Sequence, residues 1–260
     1  MTAAPSPDIP NPAFRQSAEP AAGLAPARTV NWAHIDTWVF DLDNTLYHPR
    51  ANLFAQIDQR MTAFIMQLLS LDFAAARTLQ KSYFLDYGTT LRGLMHHHAI
   101  EPRAFLDFVH DIDLGVVAAD LALARALEAL PGRKLIFTNA DAAYAGRVLA
   151  RLGIGGHFEA IHDIVATDFI PKPEEAAYDQ LLSVHGVDPR RAVFVEDMAR
   201  NLAPAKARGM ATVWVNNGSE KGGFNASPDF IDLEITDVAA WLSGIGLATA
   251  AAAATACPAL

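Results

Sequence analysis

Thr37-Trp38-Val39-Phe40-Asp41-Leu42-Asp43-Asn44-Thr45-Leu46-Tyr47 passes from a β-branched and aromatic run into two carboxylates two residues apart, then into a polar turn. A short continuous apolar run reads as a strand buried on both faces of a parallel sheet, which puts Asp41 at its carboxyl end. Side chains alternate along a strand, so positions i and i+2 share a face, and the two carboxylates are expected to converge on one small volume. Such a pair suits a hard cation, because Mg2+ commonly binds through one or two carboxylates together with phosphate oxygens. One carboxylate can also attack phosphorus itself. The competing reading is an Asx turn closing a strand, for which Asn44 and Thr45 alone would serve.

Three further stretches have the same character. Lys134-Leu135-Ile136-Phe137 runs into Thr138-Asn139, and Ala192-Val193-Phe194-Val195 runs into Glu196-Asp197. Lys172 stands between two prolines in Phe169-Ile170-Pro171-Lys172-Pro173, a bracket that restricts the loop. Strand-like runs at 37–43, 134–138, 160–165, 192–196 and 211–215 alternate with helical segments, so pattern alone predicts an α/β fold with a doubly wound parallel sheet. Sites in such sheets lie beyond the carboxyl ends of the strands, where the residues just named fall.

About ninety residues separate the first two of these stretches, far more than an ordinary crossover needs. Leu53, Ile57, Met61, Phe64 or Ile65, and Leu68 recur there at helical spacing, while Asp72, Pro102 and Gly115 punctuate further helical runs. Residues 48–118 are therefore expected to form an inserted helical cap, with 31–47 and 119–246 forming the core. A cap excludes water and selects substrate.

Asp41-Leu42-Asp43-Asn44-Thr45-Leu46, Thr138, Lys172 and Glu196-Asp197, in that order, resemble the four motifs of the haloacid-dehalogenase-like hydrolase superfamily. The resemblance spans residues 37–216 and implies a Rossmann-like core whose α-helical cap closes over the site. It implies that Asp41 is the nucleophile forming an aspartyl phosphate and that Asp43 is the general acid and base. Mg2+ would be held by Asp41, the Asp43 backbone carbonyl and Asp197, with Glu196 nearby or bound through water. Thr138, Asn139 and Lys172 would surround the phosphoryl oxygens. Asn201, one helical turn after Asp197, faces either that site or the helix surface. Retention of Asp43 and the acidic pair separates the chain from the superfamily's dehalogenases, and a phosphomutase would need a cap that admits a sugar hydroxyl in place of water. A catalytically silent ligand-binding member would lack a motif residue, and none is missing.

More specifically, Asp43-Asn44-Thr45-Leu46-Tyr47, Tyr83, Tyr87-Gly88-Thr89-Thr90-Leu91-Arg92-Gly93-Leu94, Asp168 to Pro173 and Arg200-Asn201-Leu202 resemble the pyrimidine 5′-nucleotidase subgroup, although Met198 departs from its usual small polar residue. That resemblance implies a nucleoside monophosphate substrate such as UMP or CMP. Tyr83 and Tyr87 offer ring faces for a base, and Arg92 offers a planar donor for base carbonyls or phosphate. Each of the three also reads as a packing or surface residue. A phosphatase for sugar phosphates or other small esters shares the core chemistry. His96-His97-His98 cannot converge on one ion from consecutive helical positions; His96, four residues after Arg92, is the one expected nearest the cleft.

Composition sets outer limits. With 260 residues, 52% hydrophobic and 19% charged, the chain can bury one substantial core plus a small cap. A formal charge of −9 argues against a nucleic-acid partner. The single cysteine, Cys257, permits no intramolecular disulfide and suggests a reducing, cytoplasmic setting. No apolar run is long enough to span a bilayer. Residues 1–30, rich in Pro and Ala without the pattern of a secretory signal, are expected to be disordered, and the Ala-rich tail 247–260 to extend a helix or fray.

Overall fold

The computed structural model describes residues 32–245; the expectations for residues 1–30 and for the tail lie outside the described residues. Six strands, β1 (Thr37–Phe40), β2 (Arg133–Phe137), β3 (Ala160–His162), β4 (Ala192–Glu196), β5 (Ala211–Val215) and β6 (Leu233–Ile235), form one sheet in the order β3-β2-β1-β4-β5-β6. All neighbours are parallel, which gives the expected doubly wound α/β sheet.

Between β1 and β2 the chain forms α1 (Leu53–Leu69), α2 (Phe73–Tyr87), α3 (Thr90–His98) and α4 (Pro102–Val109). The remaining helices are α5 (Leu121–Ala129), α6 (Ala142–Leu152), α7 (Glu175–His185) and α8 (Leu202–Ala207), with residues 238–245 helical at the end. Asp72 caps α2 by accepting from Ala75 N–H at 2.8 Å, and Pro102 opens α4, as the punctuation suggests.

The period-2 alternation of buried strands distributes the core over both faces of the sheet. Trp38, Phe40, Ile136, Val193 and Val195 pack with Leu127 of α5, Val148 and Leu149 of α6, and Leu242. Val39, Leu135, Phe137 and Phe194 pack with Tyr178 and Leu181 of α7 and Leu202 of α8. Burying both faces explains why these strands read as continuous apolar runs rather than alternating ones.

Several boundaries differ from expectation. The strand ends at Phe40, not at 43, because Asp41 to Tyr47 turn away from the sheet. The third strand stops at His162 because Asp163 turns its carboxylate onto backbone N–H groups, those of Ala142 at 2.7 Å and Ala166 at 2.8 Å. Strand β6 was not expected; only three residues long with Glu234 exposed, it carries no buried apolar run to reveal it. Along α1, Leu53, Ile57 and Ile65 are buried, but Leu68 is exposed.

Strand register sets up the site. Phe40 lies level with Ile136 on one side and Val195 on the other. Asp41, Phe137-Thr138 and Glu196-Asp197 therefore leave the sheet side by side. The strand order reverses direction about β1 and β4, the position at which such sheets open a crevice.

One histidine pair beside these strands makes a measurable prediction. His162, 1% exposed, lies 3.3 Å (Nδ1 to Nε2) from His185. Burial, and then His185, push its pKa down from 6.5 to about 4. Between those values the unfolded chain takes up a proton that the native state refuses, so this contribution is intact above about pH 6.5 and lost as pH falls toward 4. His162→Phe should therefore flatten the acid side of the stability profile, so that the denaturation midpoint drops less from pH 7 to pH 5 than in wild type. An unchanged pH slope would contradict this assignment.

Candidate active site

Lys172 is the centre of the crevice. Its ammonium, 1% exposed, donates to Asp41 Oδ1 at 2.7 Å, to Glu196 Oε2 at 2.7 Å and to the Phe137 carbonyl at 2.8 Å. An ammonium has three donors, and all three are used to tie the ends of β1, β2 and β4 together. Asn139 holds the lysine backbone from the other side: Lys172 N–H donates to Asn139 Oδ1 at 2.8 Å, and Asn139 Nδ2 donates to Lys172 O at 3.2 Å. The side-chain amide expected to contact substrate thus engages the lysine loop.

Thr45 makes a second clamp. Its hydroxyl donates to Asp41 Oδ2 at 2.8 Å and accepts from Asp197 N–H at 3.1 Å. Thr138, 2% exposed, accepts from Ala140 N–H at 3.0 Å, leaving its own hydroxyl proton available toward the cleft it lines. Asp41, Glu196 and Asp197 each present an oxygen within 4.8 Å of the others, and all three are buried.

Three carboxylates around one lysine are under-compensated. Burial, then the Glu196 carboxylate, raise Asp41 to about 6 against the opposing pull of Lys172. Burial, then Glu196 and Asp41, push Asp197 well above the carboxylate range. For Lys172, burial alone would lower the ammonium, but Asp41 and Glu196 outweigh it and raise it. A hard divalent cation among these oxygens would offset the excess negative charge, so the donor set fits Mg2+ in ligand type and in charge.

Asp43 occupies a different environment from the one that strand alternation suggests. Residues 41–43 are not in a strand, so the i, i+2 argument is not what orients the pair. Asp43 Oδ1 instead accepts from two phenols, Tyr47 at 2.6 Å and Tyr144 at 2.8 Å. Burial raises its carboxyl, opposed by the Tyr47 hydrogen bond and assisted by the Asp41 charge. Tyr144 stacks on His110, centroids 4.3 Å apart and planes at 12°. The His110 imidazole in turn meets Asp141 Oδ2 through Nδ1 at 2.5 Å.

The inserted helices cover this group and enclose a cleft of about 200 Å3. Ile57 and Met61 of α1, Phe84 of α2, and Phe105 and Leu106 of α4 supply an apolar wall, interrupted by Asp58, Gln80, Lys81 and His110. On the core side, Asp41, Asp43, Thr138, Asn139, Lys172, Glu196, Asp197 and Asn201 all line it.

Three substrate-contact expectations are corrected. Gln80, Lys81, Phe84 and Gly88 form the cleft-facing stripe of α2, so Tyr83 and Tyr87 lie off it. Tyr83 bonds His98 at 2.7 Å and Tyr87 bonds His97 at 2.6 Å, closing α2 against α3. Arg92 Nη1 instead pairs with Glu174 Oε1 at 2.9 Å, tying α3 to the segment after Pro173. His96, exposed beside the Tyr87 ring, does not line the cleft either. Asn201 is no surface residue: it ends a buried 3-10 turn, and its Oδ1 has no hydrogen-bond partner.

Arg200 was read from sequence only as part of a motif, yet it is a cleft residue, 7% exposed. Its guanidinium lies 4.4 Å from the Phe84 ring centroid and donates through Nη2 to Gly88 O at 3.1 Å, while Nε and Nη1 have no hydrogen-bond partner. Its position beside the motif that ends β4 was the available signal. For Tyr144 and His110 there was none, since both come from segments far from Asp43 in the chain.

Known proteins place this arrangement. The family model for haloacid dehalogenase-like hydrolases matches residues 35–209. Phosphate metabolism protein 8 of Saccharomyces cerevisiae is 28% identical over 204 residues, covering 72% of this chain and 61% of the yeast protein. A phosphoglycolate phosphatase of Rhodospirillum rubrum is 28% identical over 203 residues, covering 69% of this chain and 79% of its own. Among solved structures, a phosphatase of the same superfamily from Thermococcus onnurineus shares the fold, with a TM-score of 0.55 and 20% identity over 81% of this chain and 97% of its own. Because the family model matches more than half of its length, this chain belongs to the haloacid dehalogenase-like hydrolases.

Proposed function

We propose that the protein is a Mg2+-dependent phosphomonoesterase acting through an aspartyl-phosphate intermediate. The observation that carries this reading is the single buried cluster in which Lys172 bridges Asp41 and Glu196 while Asp43 stands alongside on separate supports. Asp41, Asp197, Glu196 and the Asp43 carbonyl would hold the metal, which when bound supplies positive charge to the phosphoryl oxygens. An Asp41 oxygen attacks phosphorus. Lys172, already beside that carboxylate, and the Thr138 hydroxyl stabilise the negative charge of the transferring group. Asp43 gives a proton to the departing oxygen and takes one from the water that releases phosphate. The inserted helices act as the cap, whose apolar wall keeps bulk water from the site.

For substrate, the reading is a pyrimidine nucleoside monophosphate. Phe84 is the aromatic residue of α2 that lines the cleft, with Arg200 over its ring, and the motif resemblance supports the same class. A second reading, a small phosphate ester bearing a carboxylate, is favoured by Arg200, which has no carboxylate partner in the cleft, and by likeness to a phosphoglycolate phosphatase. Either substrate suits a cytoplasmic setting.

The discriminating assay is phosphate release from UMP, CMP, AMP, glucose 6-phosphate, 2-phosphoglycolate and p-nitrophenyl phosphate. Turnover concentrated on UMP and CMP supports the first reading, preference for 2-phosphoglycolate supports the second, and glucose 6-phosphate preference sinks both. In every case activity should vanish with EDTA, return with Mg2+, and be lost in Asp41→Asn. Lys172→Ala is expected to lower kcat by at least about a hundredfold, and a drop of only a few-fold would remove the lysine from the mechanism.

A further inference from the structure

Asp43 Oδ1 accepts from both Tyr47 and Tyr144, at 2.6 and 2.8 Å, whereas its Oδ2 accepts no hydrogen bond among the described residues. A carboxyl oxygen has two lone pairs, and here both on Oδ1 are taken by hydroxyl donors. We infer that Tyr47 and Tyr144 are positioning residues which confine the catalytic proton of Asp43 to Oδ2. This inference rests on the phosphomonoesterase reading above.

The supports are built to hold that assignment. Tyr144 is fully buried on α6, and Tyr47 is 6% exposed in the turn after the nucleophile. Each phenol donates its O–H to Oδ1, so a proton on Asp43 is favoured on the oxygen that accepts neither. The ring of Tyr144 is fixed in turn by the stacked imidazole of His110, which ends α4 of the insertion, and His110 is held by Asp141, the cap residue of α6 in the core. Seating of the inserted helices is thereby joined to the orientation of the acid.

The proton balance follows. As an Asp41 oxygen bonds phosphorus, the bond from phosphorus to the leaving oxygen breaks with its electron pair on that oxygen, and the proton on Asp43 Oδ2 passes to it. In the second half-reaction a water oxygen bonds phosphorus, its proton returns to Oδ2, and the Asp41 carboxylate is released. Without either phenol, a lone pair on Oδ1 is freed, the proton divides between the two oxygens, and the acid works from Oδ2 only part of the time. A poor leaving group then suffers, while one that departs without protonation does not.

The test compares kcat/KM for an alkyl phosphomonoester that the wild type hydrolyses with kcat/KM for p-nitrophenyl phosphate, in Tyr144→Phe and in Tyr47→Phe. Both variants keep the ring, and the second covers the case in which the first fails to fold. The expected result is a loss of about tenfold or more on the alkyl ester and less than about threefold on the aryl ester. Equal losses on the two esters, or no loss on either, would overturn the positioning role while leaving the phosphomonoesterase reading intact. Wild type inactive on every ester would instead overturn that reading, and this inference with it.

Discussion

The buried Lys172 ammonium is the interaction on which the rest of the site depends. It satisfies all three of its N–H donors on groups at the ends of three strands, so it fixes the spacing of the crevice as well as its charge. Burying an ion costs several kcal/mol unless paired and hydrogen-bonded, and this one meets both conditions. Its charge is not sufficient in return: Asp41 and Glu196 bond to it, Asp197 presents a third buried carboxylate oxygen within 4.8 Å of theirs, and Asp43 is close by. A structural ion pair would not carry such an excess, whereas on the proposed reading it is the capacity that receives a cation. Asn139 and Thr45, which contribute no charge, maintain the geometry by holding the lysine backbone and linking the first acidic motif to the last.

The insertion supplies the other wall of the cleft. Its cleft face is mostly apolar, and the polar groups that interrupt it are largely engaged among themselves: Gln80 Nε2 donates to Asp58 Oδ1 at 2.8 Å, and Lys81 lies within salt-bridge reach of Asp58 and Glu220. Among the described residues, Arg200 and Asn201, from the core, are the cleft residues that retain buried polar atoms without partners. The unused hydrogen-bonding capacity of the cleft therefore lies where the core loop after β4 meets α2, and the tyrosine face closes α2 against α3 instead.

The core and the acidic, hydroxyl and lysine residues that converge in its crevice were legible because the signals are local. An apolar run followed at once by a carboxylate, hydroxyl or acidic pair marks both a strand and its chemically useful end, and the order of four such ends carries the family. Strand ends were less so: Asp41 and Asp163 leave the sheet because of hydrogen bonds that no periodicity records. The insertion was legible as helices, but not which side of each helix faces the cleft. Tyr83 and Phe84 are adjacent in sequence and differ in role because packing against α3 decides the rotation of α2. Tyr144 could not have been found at all, since its partnership with Asp43 exists only after α6 has packed beside β1.

On the proposed mechanism, Asp41 becomes covalently phosphorylated. The direct measurement is rapid acid quench of enzyme mixed with a radiolabelled phosphomonoester and Mg2+, followed by peptide mapping. The account predicts label on the peptide containing Asp41, released by hydroxylamine as an acyl phosphate would be, and absent in Asp41→Asn. Steady turnover by the wild type with no labelled protein at any quench time, together with retained activity in Asp41→Asn, would contradict it.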